Sequence, residues 1–201
     1  MSSSKSLNLH SGDVNGGSIV FVGNGTAVTD KKMGEKIDSF DTVVRFNNYQ
    51  TEGFEEYVGT KTNIWITRIC DTIKLRPEDD FDEIIGVINY CKWTNAILPA
   101  VPKWVTRYPE MSLIKHTHVK TYIEEPEFKF HPSINWLTVG FIALKTFFDI
   151  GWEKIHIYGY GGDINKHYHP HPVGGQEHHR FDLEADYIKN KWEEKGKVVR
   201  I

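Results

Sequence analysis

The sequence predicts an α/β protein, with a Rossmann-like, mostly parallel β-sheet flanked by helices. Several short runs are apolar without a break, which is typical of strands buried on both faces of a parallel sheet. Stretches long enough for a helix separate these runs, as in repeated βαβ units. The chain has 201 residues, of which 39% are hydrophobic and 25% charged, a composition that fits one globular domain.

The first half of the chain supplies most of the predicted sheet. A Ser- and Gly-rich leader over 1–17 is expected to be flexible, and 18–201 to form the single domain. Strands are predicted at 18–22, 42–46, 62–66 and 83–90, with a short helix at 31–39.

Prolines interrupt the second half of the chain between 91 and 131. We interpret this stretch as a substrate-facing insert, which could hold a helix over 92–108. Beyond it the pattern becomes regular again. Its predicted elements are a helix over 133–149 closed by Gly151, a strand at 154–158, a helix over 181–195 ended by Gly196, and a last edge strand at 198–201.

Composition and charge exclude several classes of protein. The net charge of −3 argues against a nucleic-acid-coating surface. No apolar run approaches the ~18 residues of a membrane helix, and the leader has no apolar signal-peptide core. Two cysteines, Cys70 and Cys91, are too few for a disulfide framework. We therefore expect a soluble, cytoplasmic protein that binds no nucleic acid and has no membrane span.

Glycine and asparagine follow the first two predicted strands. Gly23, Asn24 and Gly25 end the first strand, where glycines allow either a tight turn or close approach of backbone N–H groups to a phosphate. Asn47 ends the second, and its amide suits either a nucleotide or a turn. Both interpretations stay open for each position.

A third candidate lies at the predicted helix over 133–149. Trp136, Thr138 and Gly140 fall near its start, where a hydroxyl and a glycine could hold an anion. If the helix begins at Ser133, Gly140 is instead an interior packing glycine.

Five of the ten histidines, at 167, 169, 171, 178 and 179, fall within 13 residues. A solvated loop is one explanation, and a metal site with Asp163 and Glu177 is another. Proton chemistry is the third, because an imidazole titrates near neutral pH. At the start of the last predicted helix, the helix dipole would lower the pKa of His179 and keep it the neutral base.

Seven short stretches fall into four groups along the chain. Residues 19–25, 41–47 and 58–62 read IVFVGNG, DTVVRFN and VGTKT; 137–144 and 155–161 read LTVGFIAL and IHIYGYG; 167–168 read HY; and 179–184 begin with His and end with Glu. In this order they resemble the large, small, third and very small motifs of the sialyltransferases, glycosyltransferase family 29. The stretch 68–131 is unmatched.

The resemblance implies a GT-A-like fold and an inverting transfer from a CMP-linked sugar to a hydroxyl of a glycan acceptor, without metal or other cofactor. His179 would be the general base, and His167 would bind the donor phosphate. Glu184 would orient the last helix or His179. The donor-binding residues it implies are Asn24, Gly25, Asn47, Trp136, Thr138, Gly140, Gly161 and Tyr168.

The chain also departs from the family pattern. It lacks the cysteine pair that vertebrate members place in the large and small motifs, has Leu137 where a proline is usual, and is shorter than the usual catalytic domain. The donor sugar stays open between sialic acid and another 2-keto sugar acid such as Kdo. Two alternatives stay open. One is a metal-dependent hydrolase that uses the histidines between 167 and 179, and the other is a catalytically inactive CMP-binding module. A dinucleotide oxidoreductase is disfavoured, because no acidic residue stands about twenty positions beyond Gly25 in a ribose-binding setting.

Overall fold

The computed structural model describes residues 17–88, 98–129, 137–162, 166–170, 179 and 181–201. Trp136 and most of the expected leader lie outside this part. The strands are β1 (Ile19–Val22), β2 (Thr42–Phe46), β3 (Ile64–Arg68), β4 (Glu83–Val87), β5 (Ser112–Ile114), β6 (Ile155–Tyr158) and β7 (Val198–Arg200).

Helices fill the connections between these strands. They are α1 (Gly34–Asp38), α2 (Glu55–Val58), α3 (Val101–Arg107), α4 (His116–Ile123), α5 (Pro126–Lys129), α6 (Val139–Asp149) and α7 (Phe181–Tyr187), which continues as a π-helical segment, Ile188–Glu193. Short 3-10 turns stand at Thr26–Thr29, Glu78–Asp80 and Leu98–Ala100. None of the helices in the described ranges combines the length and apolar character that crossing a bilayer takes.

The seven strands form one sheet in the order β5-β4-β3-β2-β1-β6-β7, and every neighbouring pair is parallel. All four residues of β1 are buried, because alternate side chains enter different cores. Phe21 packs with α6 on one face, and Val20 packs with Ile37 of α1 on the other. This two-sided burial explains the unbroken apolar run and confirms the predicted α/β class.

The order of the sheet defines a crevice. From β1 the chain builds outward to β5 and then returns to β6 on the other side of β1. The connections therefore diverge at the carboxyl ends of β1 and β6. In open parallel sheets this switch point is where ligands bind.

The structure also corrects details of the prediction. The third strand runs two residues later than 62–66, because Asn63 uses its side chain to accept a hydrogen bond from the backbone of Val43 (2.9 Å). Within the stretch 92–108, where a helix was expected, the structure describes the helix α3 over Val101–Arg107. The predicted helix over 181–195 changes to π-helical geometry after Tyr187. The short elements α2, β5, α4 and α5 were missed.

Candidate active site

The loops that follow β1 and β6 are joined backbone to backbone. The N–H of Gly23 donates to the carbonyl of Tyr158 (2.7 Å), and that of Gly25 donates to Gly159 (3.0 Å). A Cβ atom on Gly23 would stand 2.6 Å from the Gly159 oxygen, and one on Gly25 would stand 2.0 Å from the Gly161 oxygen. Glycine is thus required at both positions for close packing of the two loops. Gly25 itself has an extended backbone (φ −68°, ψ 150°), so the tight turn is not what requires glycine there. Phosphate binding stays a prediction.

Asn24 connects this loop to its neighbours. Its Nδ2 donates to the carbonyl of Phe46 at the end of β2 (3.1 Å), and its own carbonyl accepts from the N–H of Tyr168 (3.2 Å). Its Oδ1 is buried and accepts no hydrogen bond within the described ranges. An unsatisfied buried oxygen is costly, so a donor group from a ligand would stabilise it.

Asn47 closes β2 in the left-handed region, with φ of 51°, a conformation that asparagine tolerates better than most residues. Its Oδ1 accepts from the N–H of Arg68 (2.9 Å), and its carbonyl accepts from Trp65 Nε1 (2.9 Å). The side chain therefore ties β2 to β3, as the turn interpretation expects. These contacts with other described residues use the two oxygens of Asn47, which leaves the two N–H donors of Nδ2 for a ligand.

Helix α6 begins at Val139. Ser133, the alternative start, lies outside the described residues. Thr138 is its N-cap and accepts from the N–H of Phe141 (3.1 Å). Gly140 consequently lies in the first turn. It is also a packing glycine, because a Cβ atom there would stand 3.1 Å from the hydroxyl of Tyr160, which donates to the Gly140 carbonyl (3.3 Å).

Glu184 is a buried carboxylate of α7 that holds this cap. One oxygen accepts from the N–H of Thr138 (2.7 Å) and the other from its hydroxyl (2.6 Å). Burial raises the pKa of Glu184 to about 7, although both hydrogen bonds from Thr138 act to lower it. Glu184 therefore orients α7 against the start of α6.

Residues 166–170 form a strap across the β1 loop. His167 pairs with Gly25 in an isolated antiparallel bridge, next to the backbone bond from Tyr168 to Asn24. The imidazole centroids of His167 and His169 are 5.2 Å apart. The tyrosine hydroxyl reaches the β2–α2 connection, where it donates to the carbonyl of Gln50 and accepts from its N–H.

His179 stands two residues before α7, half-buried, with its ring 5.4 Å from that of Phe181. Other members of the predicted histidine cluster and its acidic partners, at 163, 171, 177 and 178, lie outside the described residues. Within those that are described, no three His, Cys, Asp or Glu side chains are grouped to hold a metal.

A model of glycosyltransferase family 29 (sialyltransferase) matches residues 17–195. The chain belongs to this family. The match runs from the start of β1 to beyond α7 and takes in every residue of the site just described.

Three comparisons with known proteins illustrate the relationship. The CMP-N-acetylneuraminate-β-1,4-galactoside α-2,3-sialyltransferase of Rattus norvegicus is 27% identical over 73% of this chain and 45% of its own length. The β-1,6-galactosyltransferase GALT29A of Arabidopsis thaliana is 26% identical over 85% of this chain and 49% of its own. A crystal structure of a mammalian sialyltransferase in complex with Gal-β-1-3GalNAc-ortho-nitrophenol shares the fold, with a TM-score of 0.65 and 19% identity over 92% of this chain and 68% of that one. The chain spans about half the length of these two curated relatives.

Sequence reasoning assigned no role to Arg45, which lies within the large family-29 motif and is fully buried. Its Nε donates to the carbonyl of Lys61 and to Thr62 Oγ1 (both 3.0 Å), and its Nη2 donates to the Val58 carbonyl (2.6 Å). Burial lowers the pKa of this guanidinium. A charged residue inside an apolar strand was the available signal, because such a group stays buried only where acceptors surround it.

Proposed function

We propose that the chain is a metal-independent, inverting glycosyltransferase. It moves sialic acid, or a related 2-keto sugar acid such as Kdo, from a CMP-activated donor to a hydroxyl of a glycan acceptor. The observation that carries this proposal is the bridge between Gly25 and His167, which brings a histidine to the switch point of the sheet.

Two amides at that edge suit the nucleotide. Asn24 offers a buried acceptor oxygen, and Asn47 offers the donor Nδ2. Cytosine and ribose carry both N–H or O–H donors and acceptor oxygens, so CMP can satisfy both. Gly161 adjoins this edge, and a Cβ atom there would meet nothing within 4 Å, which leaves room for the donor.

His167 serves the leaving group. Its imidazole donates a hydrogen bond to the donor phosphate, whose negative charge grows as the bond to the anomeric carbon breaks. A positioned donor of this kind is worth roughly 3–4 kcal/mol in a site that excludes water.

His179 serves the nucleophile. It removes the proton from the acceptor hydroxyl while that oxygen attacks the anomeric carbon from the face opposite the phosphate. One C–O bond forms, the C–O bond to phosphate breaks, CMP leaves with the electron pair, and the proton passes from His179 to water. The product therefore has the opposite anomeric configuration to the donor.

The test is transfer from a panel of donors. CMP-sialic acid, CMP-Kdo and UDP-galactose are each incubated with β-galactoside acceptors in the presence of EDTA, and the anomeric configuration of any product is read by NMR. Transfer with inversion from a CMP donor supports the proposal. Transfer from UDP-galactose alone, or transfer abolished by EDTA, would overturn it.

A further inference from the structure

We propose that Tyr168 is a positioning residue: its phenol anchors the 166–170 strap so that His167 faces the donor, and it does not bind the donor itself. The catalytic part of this inference rests on the proposed function, since it concerns the placement of the histidine that serves the leaving group. The structural part stands on the contacts of the strap.

The hydroxyl of Tyr168 is already engaged on both sides. It donates to the carbonyl of Gln50 and accepts from the N–H of the same residue (3.2 Å). A phenol has a single proton to donate, so none is left for a ligand. The ring is fixed as well, because it packs edge-on against Phe54 (centroids 5.0 Å apart) and His169 (4.8 Å).

The backbone of the strap is attached at the same place. The N–H of Tyr168 donates to the Asn24 carbonyl, and the preceding residue, His167, bridges Gly25. Two consecutive residues thus reach both the β1 loop and the β2–α2 connection. Gln50 and Tyr168 are 118 positions apart in the chain, so this contact ties the strap to a distant part of the sequence.

Anchoring of this kind affects catalysis because placement is demanding. A displacement of about 1 Å in a catalytic group can cost on the order of 100-fold in rate. His167 adjoins the anchor directly, and the hydroxyl of Tyr168 joins the strap to the loop that follows Asn47. Removing that hydroxyl frees the strap without removing any group that meets the donor.

The chain contains a matched control. The hydroxyl of Tyr108 donates to the carbonyl of Arg76 (2.8 Å) and accepts from its N–H (3.0 Å), the same two-sided clamp on one peptide residue. Tyr108 is buried with Trp65 and Trp104 in the core beside β3 and β4. Tyr108→Phe therefore reports the general cost of losing such a clamp.

The first experiment needs no activity. Side-chain NMR of the histidines in the ligand-free protein, with His167→Ala to assign the signals, is compared among wild type, Tyr168→Phe and Tyr108→Phe. Tyr168→Phe is expected to shift the His167 signals and to speed amide exchange at Gln50 about three- to tenfold, the effect of one hydrogen bond. Tyr108→Phe keeps the hydrogen bond from Tyr168 to Gln50 and is expected to leave the His167 signals unchanged. Unchanged His167 signals in Tyr168→Phe would overturn the proposal.

The second experiment separates positioning from contact. Tyr168→Phe should lower kcat by roughly 10- to 100-fold. It should leave the affinity for cytidine, which lacks the phosphate, unchanged. In a His167→Ala background the same substitution should have no further effect on kcat, because it acts through that histidine. Weaker cytidine binding, or an undiminished second loss, would overturn the proposal that Tyr168 acts only through His167. Wild type that transfers from no donor overturns the proposed function, and the NMR comparison then still decides the role of the strap.

Discussion

The carboxylate of Glu184 accepts from both hydrogen-bond donors of Thr138, the backbone N–H at 2.7 Å and the hydroxyl at 2.6 Å. The two residues are 46 positions apart, yet the contact fixes the beginning of α6 against α7. Because His179 stands just before α7, the bond between Glu184 and Thr138 also sets the position of the proposed base relative to the start of α6. The Glu184 carboxyl is buried in this contact, and its pKa is about 7.

Glu184→Gln should change how stability depends on pH. The pKa of the buried carboxyl is about 7, above the 4.5 of an unfolded glutamate, so the folded protein keeps a proton that the unfolded chain loses. The stability from this group is full below about pH 4.5 and is lost as the pH rises through 7, by up to about 3 kcal/mol. Urea unfolding from pH 4 to 8 should therefore favour the Gln variant increasingly over wild type at higher pH.

Glu127→Gln is the control for that experiment. Glu127 is paired with Lys191 (2.7 Å), whose hydrogen bond and charge lower its pKa, so its contribution to stability runs in the opposite direction with pH. The pair is partly exposed and its effect should be small. A pH profile for Glu184→Gln that matched the control would contradict a raised pKa.

His179→Ala should abolish transfer and leave CMP binding nearly intact. Removal of a general base typically costs 10²- to 10⁴-fold in rate, while the nucleotide contacts lie elsewhere. Single-turnover kinetics and CMP affinity are measured on the same preparation. A variant that transfers at the wild-type rate would show that His179 is not the base.

Asn47→Ala should raise the donor KM, because the lost hydrogen bonds cost about 1–3 kcal/mol of binding free energy. It should also lower the free energy of unfolding. The second effect follows from the N–H of Arg68, which loses its acceptor. Asn47→Asp keeps that acceptor and removes only the Nδ2 donor, so it should retain stability while the donor KM still rises. Equal loss of stability in the two variants would argue against the assignment of Oδ1 to folding and Nδ2 to donor binding.

Gly25→Ala should separate the β1 and β6 loops, because the added Cβ would meet the Gly161 carbonyl at 2.0 Å. We expect a loss of roughly 1–3 kcal/mol in unfolding free energy together with weaker CMP binding. Gly17→Ala, where the nearest atom would be 3.6 Å away, serves as the control and should match wild type. Normal CMP affinity in Gly25→Ala would show that the paired loops do not form part of the donor site.

Much of the sheet could be predicted, because burial on both faces leaves a plain apolar signature. Strand β2 was predicted with its observed bounds, and β1 differs from its prediction by one residue. The three residues of β5 lie among prolines and are too few to show a period. The π-helical turn after Tyr187 was equally invisible, since it shares the apolar spacing of an ordinary helix.

The candidate site could be predicted in its members but not in their partners. Motif order pointed to Asn47, Tyr168 and Glu184. What each side chain contacts depends on residues far along the chain, such as Arg68 for Asn47 and Gln50 for Tyr168. Spacing within a motif carries no information on such long-range hydrogen bonds.

Calorimetric titration with CMP is the decisive measurement for the proposed nucleotide site. UMP, CDP and NAD serve as competitors for specificity, and each titration is run with and without EDTA. We expect selective binding of CMP that the chelator does not alter. Absence of CMP binding, or binding that requires added metal, would contradict it and would return the histidines around 167–179 to the metal hypothesis.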